Sequence, residues 1–363
     1  MKVELLTPLH IGTGNEVPDF EYVLNGNQLL HISLPSLLTA DAGAAEALSE
    51  LATRNGVMNY LKNRRGFWGN HLLYPLNGEC VDFDRARKDR ASKDDLSVRE
   101  CVKASFGHFP LLPGSSLKGA MLTGWLFGVG WEELAQADRD KLLQASSTDF
   151  EIKLDHQLYE RLTRNNPEWG LKSKAEKPNL LSDRLWVSDI ELDGGFEMRQ
   201  AQRTIKRHEK SHTLTTWIEC VAAGATGEML GRFREEPTEG GRTVAELCRR
   251  CNIFARCLLV AEQQFADYCI GKSYFKARPA AYADNGLLLA RLTAVEQTPD
   301  TCLVRIGWAS NKNAASLTLM NSSANLSGQP LSRERRRPKS RWSLKDSTPF
   351  GWCLVTFEEG DYE

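Results

Sequence analysis

The chain has 363 residues, 41% of them hydrophobic and 26% charged. This is an ordinary globular composition that excludes a mostly disordered chain and supplies apolar material for about two domain cores. Lys plus Arg number 46 against 47 Asp plus Glu, a formal net charge of −1. Bulk charge therefore does not drive binding to nucleic acid or membrane, and any such contact has to come from local clusters.

The opening Met1-Lys2-Val3-Glu4-Leu5-Leu6-Thr7-Pro8 predicts a strand over 2–7 stopped by Pro8. With an acid at position 4 and no long apolar run, it is not expected to be a secretory signal. Tyr22–Leu24 and Leu29–Ile32 predict a hairpin about Asn25-Gly26-Asn27, because Asn-Gly tolerates the positive φ of tight turns. Leu34–Leu51 carries apolar residues at helical spacing and predicts a helix ending near Asn55-Gly56. Residues 84–99, with Asp84-Arg85-Ala86-Arg87-Lys88-Asp89-Arg90, read as a solvated segment with little core content. Phe109–Pro113 reads as a loop, followed by a helix to Val129 and a second, amphipathic helix over Trp131–Ala145. The uncharged stretch Gly119–Trp131 is too short to span a bilayer.

Lys172–Pro178 reads as a linker, and strand character resumes at Leu185-Trp186-Val187 and Ile190-Glu191-Leu192. A polar break over Arg232–Arg242 precedes one long helix, Thr243–Ile270, stopped by Gly271. Strands are expected at Leu287–Ala294, Cys302–Gly307 and Trp352–Phe357. Strands and single helices interleave without a regular βαβ series, which favours two α+β units, residues 1–195 and 196–363, over a doubly wound sheet.

Several segments carry chemistry. Pro113-Gly114-Ser115-Ser116-Leu117-Lys118-Gly119 joins two glycines, two hydroxyls and a lysine at a predicted helix start, a pattern that suits phosphate. It is not a Walker A loop, since Lys118 precedes the second glycine, and a plain helix N-cap with a surface lysine fits it equally. Thr7-Pro8-Leu9-His10-Ile11-Gly12-Thr13-Gly14 places His10 beside a flexible turn, where a general base, a stacking group or a structural histidine all fit. Its Gly-x-Gly lacks the third glycine of a dinucleotide fingerprint.

The nine cysteines are an odd set in a long chain with apolar neighbours, as at Arg256-Cys257-Leu258-Leu259-Val260. They read as buried reduced thiols of a soluble cytoplasmic protein. Cys248-x-x-Cys251 lies inside one predicted helix, so no zinc site is expected there, and no other metal or cofactor is expected. His208 and His212 stand at i, i+4 among Lys206, Arg207 and Lys210, which reads as a solvated basic face or a phosphate contact. Arg333–Arg341 holds a dense basic run beside Trp342, suited to a nucleic-acid backbone with stacked bases, or to a surface loop. No nucleophile elbow or His-Glu-x-x-His occurs.

Together these segments resemble the RAMP proteins of CRISPR systems. The N-terminal motif at 7–14 and Leu112-Pro-Gly-Ser-Ser-Leu-Lys-Gly119 carry the likeness. Leu185-Trp-Val-Ser-Asp189, Trp217–Gly224, Val304-Arg-Ile-Gly-Trp308, Pro338-Lys-Ser-Arg341 and Pro349-Phe-Gly-Trp352 follow in the family's order. Within the superfamily the chain is most similar to the type III-A (Csm) subunit that caps the crRNA 3′ end. It departs from that pattern after Trp308, where Ala309-Ser310-Asn311-Lys312 replaces a usual glycine, and at 84–99, which looks like an insertion.

The resemblance implies two ferredoxin-like (RRM-like) RAMP domains with helical insertions and a non-catalytic role holding crRNA beside neighbouring RAMP subunits. Target RNA would be met indirectly, with a part in crRNA maturation that shields an end or recruits host nucleases. It implies an RNA path along His10, Gly12, Gly14, Gly114, Ser115, Ser116, Lys118, Gly119, Arg305, Lys339 and Arg341. Two alternatives stay open: an endoribonuclease using His10 as acid–base and Lys118 on the phosphorane, and an unrelated small-nucleotide enzyme.

Overall fold

The computed structural model describes residues 1–40, 43, 46, 54–63, 68–89, 96–105, 108–133, 185–207, 210–233, 243–271, 281–308, 340–346 and 348–358. The chain opens with β1 (Lys2–Leu5) and β2 (Gly12–Pro18), then the hairpin β3 (Tyr22–Asn25) and β4 (Gln28–Ile32). Asn25 pairs with Gln28 in that hairpin and Gly26 sits at φ 60, as the Asn-Gly pair predicts. Next come α1 (Leu34–Ala40), α2 (Arg54–Asn63), α3 (Trp68–His71), β5 (Leu72–Gly78), α4 (Cys80–Asp89), β6 (Ser97–Cys101), β7 (Leu111–Leu112) and α5 (Gly114–Glu133). After the residues outside description follow β8 (Leu185–Val187), β9 (Ile190–Glu191) and the long hairpin β10 (Phe196–Arg207) and β11 (Lys210–Val221). The chain closes through β12 (Thr226–Glu228), β13 (Gly231–Phe233), α6 (Val244–Gly271), α7 (Ala281–Val295), β14 (Thr301–Arg305), β15 (Ser340–Leu344) and β16 (Trp352–Thr356).

The fold class is α+β, as expected. A four-stranded antiparallel sheet has the order β12-β1-β16-β14. A mixed eight-stranded sheet runs β2-β6-β11-β10-β5-β4-β3, with β15 added to the far half of β10. Both sheets draw strands from each side of residue 195, and one apolar cluster runs through both. It includes Val3 and Leu5 of β1, Leu76 of β5, Val98 of β6, Met198 of β10, Trp217 of β11 and Val355 of β16.

Helix α5 buries Leu117, Met121 and Trp125 at i, i+4 and i+8, one face of a helix. It lies close against α6: a side chain at Gly128 would meet Cβ of Arg250 at 2.6 Å, so only glycine allows the approach. Thr243 caps α6 through its hydroxyl, 3.2 Å from the amide of Glu246.

Three expectations are corrected. Residues 281–295 form helix α7 rather than a strand, with Leu288, Leu292 and Val295 buried at helical spacing and Leu287 facing solvent. The apolar run Leu287–Leu289 masked that period.

Within 84–99, the described residues 84–89 and 96–99 do not form a solvated segment. Phe83, Asp84 and Arg87 of α4 are buried, and Arg87 ion-pairs with Asp84 while donating to the carbonyls of Asp19 (3.0 Å) and Tyr22 (2.5 Å). One turn of helix matches the two charges, so both can be buried.

The basic stretch around His212, for which no secondary structure is expected, is strand: His212 pairs with Ile205 in the β10–β11 hairpin, and His208 lies outside the described residues. Trp131–Glu133 continues α5 instead of starting a new helix, and the rest of the expected 131–145 helix lies outside the described residues, as does Lys172–Pro178. A smaller difference is that Arg232 belongs to β13.

The cysteines whose side chains are described are all buried thiols. Burial pushes the Cys353 thiol up to about 12, and Cys101 likewise to about 12, which makes them unreactive packing groups.

Candidate nucleic-acid interface

A cleft of about 740 Å³ is lined by the loop after β1, by β6, by α5 and by the loop after β14, and three loops are stapled together beside it. The first follows β1. Leu9 exchanges backbone hydrogen bonds with Val221, 3.0 and 2.7 Å, which fixes the loop to the end of β11. The second follows β14. Gly307 has φ +92 and lies so near the first loop that a side chain there would meet the carbonyl oxygen of His10 at 2.7 Å, while the amide of Trp308 donates to that oxygen at 2.9 Å. The third precedes β16. Gly351 donates to Pro8 O at 2.9 Å and accepts from the amide of Ile306 at 2.8 Å. The motifs at 7–14, 304–308 and 349–352, far apart in sequence, thus form one stapled assembly.

His10, Gly12, Gly14, Ser115, Ser116, Gly119 and Arg305 all line this cleft. Of the expected path, Gly114 and Lys118 do not line it, Lys339 lies outside the described residues, and Arg341 pairs with Thr204 in β15. The reason is helical geometry. Ser115, Gly119 and Thr123 follow at i, i+4 and i+8 on the cleft wall, Leu117 and Met121 enter the core, and Lys118 falls between the two faces.

Gly114 is required for packing, since a side chain there would meet the Val187 carbonyl oxygen at 2.4 Å. Its amide donates to the carboxylate of Asp189 at 2.8 Å. One helix N-terminal donor is therefore already taken by an anion of the chain itself.

The charges around the cleft are balanced. Arg99 of β6 stacks over the Trp308 ring at 4.9 Å and lies 3.9 Å from Glu16. Arg305 is buried, paired with Glu262 of α6, and donates to the Phe350 carbonyl at 3.0 Å. Glu100 accepts from Thr13 (3.0 Å), Asn15 (3.2 Å) and Lys103 (2.8 Å). Burial raises its pKa, but these hydrogen bonds outweigh burial and hold the carboxyl below its ordinary range.

Behind the cleft wall lies a buried polar cluster. Glu219 has no exposed surface and accepts from Tyr22 (2.8 Å), Tyr74 (2.7 Å) and the amide of Cys101 (3.0 Å), with Lys103 at 3.5 Å. The backbone carbonyl of the same residue lies 2.6 Å from Nδ1 of His10. His10 is 2% exposed, and its ring meets Trp308 edge to face at 5.5 Å. Burial lowers its pKa most strongly, Arg99 adds to that, and the Glu219 carbonyl and carboxylate oppose it, so the ring is held neutral.

The RAMP superfamily model matches residues 2–210. The chain belongs to the RAMP superfamily. Among solved structures this RAMP protein is similar to a chain of a Csm–crRNA–target RNA ternary complex from a type III-A CRISPR-Cas system. That match has TM-score 0.62 and 17% identity and covers 97% of this chain and 98% of that one. It is also similar to the T. onnurineus Csm5, with TM-score 0.61 and 15% identity over 98% of this chain and 100% of that one. No curated protein matches significantly.

Within the RAMP fold, sequence reasoning missed Arg99, Glu100, Asn15, Glu16 and Thr123 as cleft residues. The alternation Leu96, Val98 against Ser97, Arg99 was a readable strand signal, hidden by the charged stretch before it. Glu219 carried no local signal: an acid between Ile218 and Cys220 becomes legible only when Tyr22, Tyr74 and Lys103 are seen around it. Among the described residues no cluster of His, Cys, Asp and Glu is arranged to hold a metal ion, and no helix is long and apolar enough to cross a membrane.

Proposed function

We propose that this RAMP protein is the crRNA-binding structural subunit of a type III-A effector complex in the cytoplasm, capping the 3′ end of the guide and contributing to its maturation in antiviral defence. The observation that carries this is the convergence of His10, Gly12, Gly14, Ser115, Ser116, Gly119 and Arg305 in one open cleft. Likeness in fold over nearly the whole chain to Csm subunits supports the same reading. Near-neutral overall charge is compatible with it, since a groove needs only local donors along its path. Neighbouring RAMP subunits are the direct protein partners, target RNA is met through the guide, and host nucleases supply the trimming. The endoribonuclease alternative asks His10 and Lys118 to share a phosphate, and the cleft contains only the first of them.

The test is to assemble the effector complex with and without this chain and to compare crRNA 3′ ends on a denaturing gel. Ends that become uniform and nuclease-resistant only when the chain is present are the expected result. Ends unaffected by its omission overturn the capping role. Shortening of guide RNA by the purified chain alone, lost in His10→Ala, overturns the non-catalytic assignment.

A further inference from the structure

The His10 ring has a fixed polarity. The Glu219 carbonyl can only accept, so Nδ1, 2.6 Å away, carries the ring proton and donates it. Nε2 is then a bare lone pair. No group among the described residues is seen to hydrogen-bond it, and it faces Gly12 on the cleft lining: a Cβ at position 12 would come within 3.1 Å of it. The backbone is equally constrained, because the His10 carbonyl accepts from Trp308 at 2.9 Å. The ring therefore cannot turn to present a donor without abandoning a short buried hydrogen bond.

An acceptor of this kind repels a phosphate oxygen and needs a donor in front of it. On an RNA strand the donor present at every nucleotide, next to the backbone the cleft would follow, is the ribose 2′-hydroxyl. We propose that Nε2 of His10 accepts a hydrogen bond from a ribose 2′-hydroxyl, making His10 the residue that distinguishes RNA from DNA in this cleft. The assignment rests on the RNA-binding reading above and gives His10 a role different from phosphate contact. Gly12 belongs to the same device, since a side chain there would stand 3.1 Å from Nε2 and cover it on the cleft side.

The test uses the full chain and one labelled single-stranded sequence in three forms: RNA, its 2′-fluoro analogue and DNA. The 2′-fluoro strand keeps the RNA-like sugar pucker but has no hydroxyl proton to give. Wild type is expected to bind RNA about fivefold to tenfold more tightly than the 2′-fluoro strand, the size of one net hydrogen bond. His10→Asn keeps an amide donor for the Glu219 carbonyl but places nothing at Nε2. It should lose the preference for RNA over the 2′-fluoro strand. Gly12→Ala should lose the preference with His10 intact.

Equal binding of RNA and 2′-fluoro strands by wild type overturns the proposal while leaving RNA binding in place, and points to a base amine as the donor. A preference that survives in His10→Asn also overturns it. Absence of RNA binding, in the isolated chain and in the assembled complex, overturns the RNA-cleft reading and this assignment with it. Circular dichroism melting shows whether each variant is folded, and His10→Gln, which restores an amide near the Nε2 position, should recover part of the preference.

Discussion

At the scale of single residues, Glu219 and His10 decide how the cleft wall holds together. Glu219 is a fully buried carboxylate whose oxygens take hydrogen bonds from two tyrosines and a backbone amide. Glu219→Ala leaves those donors without their acceptor in the interior, and chemical denaturation should show a loss of about 3–5 kcal/mol. Glu219→Gln keeps the shape but turns a donor toward donors, and should cost about 1–3 kcal/mol. Equal stability of Glu219→Ala and wild type would show that the cluster contributes nothing net.

His10 sets a pH dependence. Its folded pKa lies below the ordinary value of 6.5, chiefly through burial. The unfolded chain therefore binds the proton first as pH falls. The stability tied to a neutral His10 is present above about pH 6.5 and is lost as pH drops toward the lowered folded value. Melting temperatures should fall more between about pH 7.5 and 5.5 for wild type than for His10→Asn. Parallel curves would remove His10 as the titrating group.

At the scale of elements, α5 separates two roles by face. Gly128 faces α6, where a Cβ would strike Arg250 at 2.6 Å. Gly128→Val should destabilise by about 1–3 kcal/mol through overpacking, with no specific effect on RNA. Gly119 lies on the cleft wall with nothing within 4 Å of where its Cβ would be. Gly119→Ala should raise stability by up to about 1 kcal/mol, since alanine is the better helix former, while lowering RNA affinity by narrowing the cleft. Opposite signs in melting temperature and affinity for that one variant would place the RNA on this face of α5. A parallel change in both would not.

At the scale of the whole molecule, the two sheets and the main apolar cluster each use residues from both sides of position 195. β1 is held between β12 and β16, and β10 between β11 on one edge and β5 with β15 on the other. Chains 1–195 and 196–363 made separately should each show poor melting cooperativity, and mixing the two should restore it, because each half exposes unpaired strand edges. Cooperative melting of either half alone would establish it as an independent domain. The three stapled loops depend on the same closure, so Gly307→Ala, strained at φ +92 and pressed on the His10 carbonyl, should reduce stability and RNA affinity together.

The sequence by itself determined the local pieces of this protein. The Asn-Gly turn specified the β3–β4 hairpin, and Thr243 marked the start of α6. The motifs at 7–14 and 112–119 held His10, Ile11, Gly12, Gly14, Ser115, Ser116 and Gly119 of the cleft lining. These signals are local because turn dihedrals, helix caps and periodicity depend on a few neighbouring residues.

Tertiary structure alone decided which side of each piece faces what. It left Lys118 off the cleft lining, took the Gly114 amide for Asp189, neutralised Arg305 with Glu262 and buried Asp84 together with Arg87. It also fixed the proton of His10 by bringing in a carbonyl from a residue 209 positions away. Such choices depend on burial and on partners from distant segments, and a group's charge, tautomer and accessibility are set by those partners rather than by its neighbours in the chain.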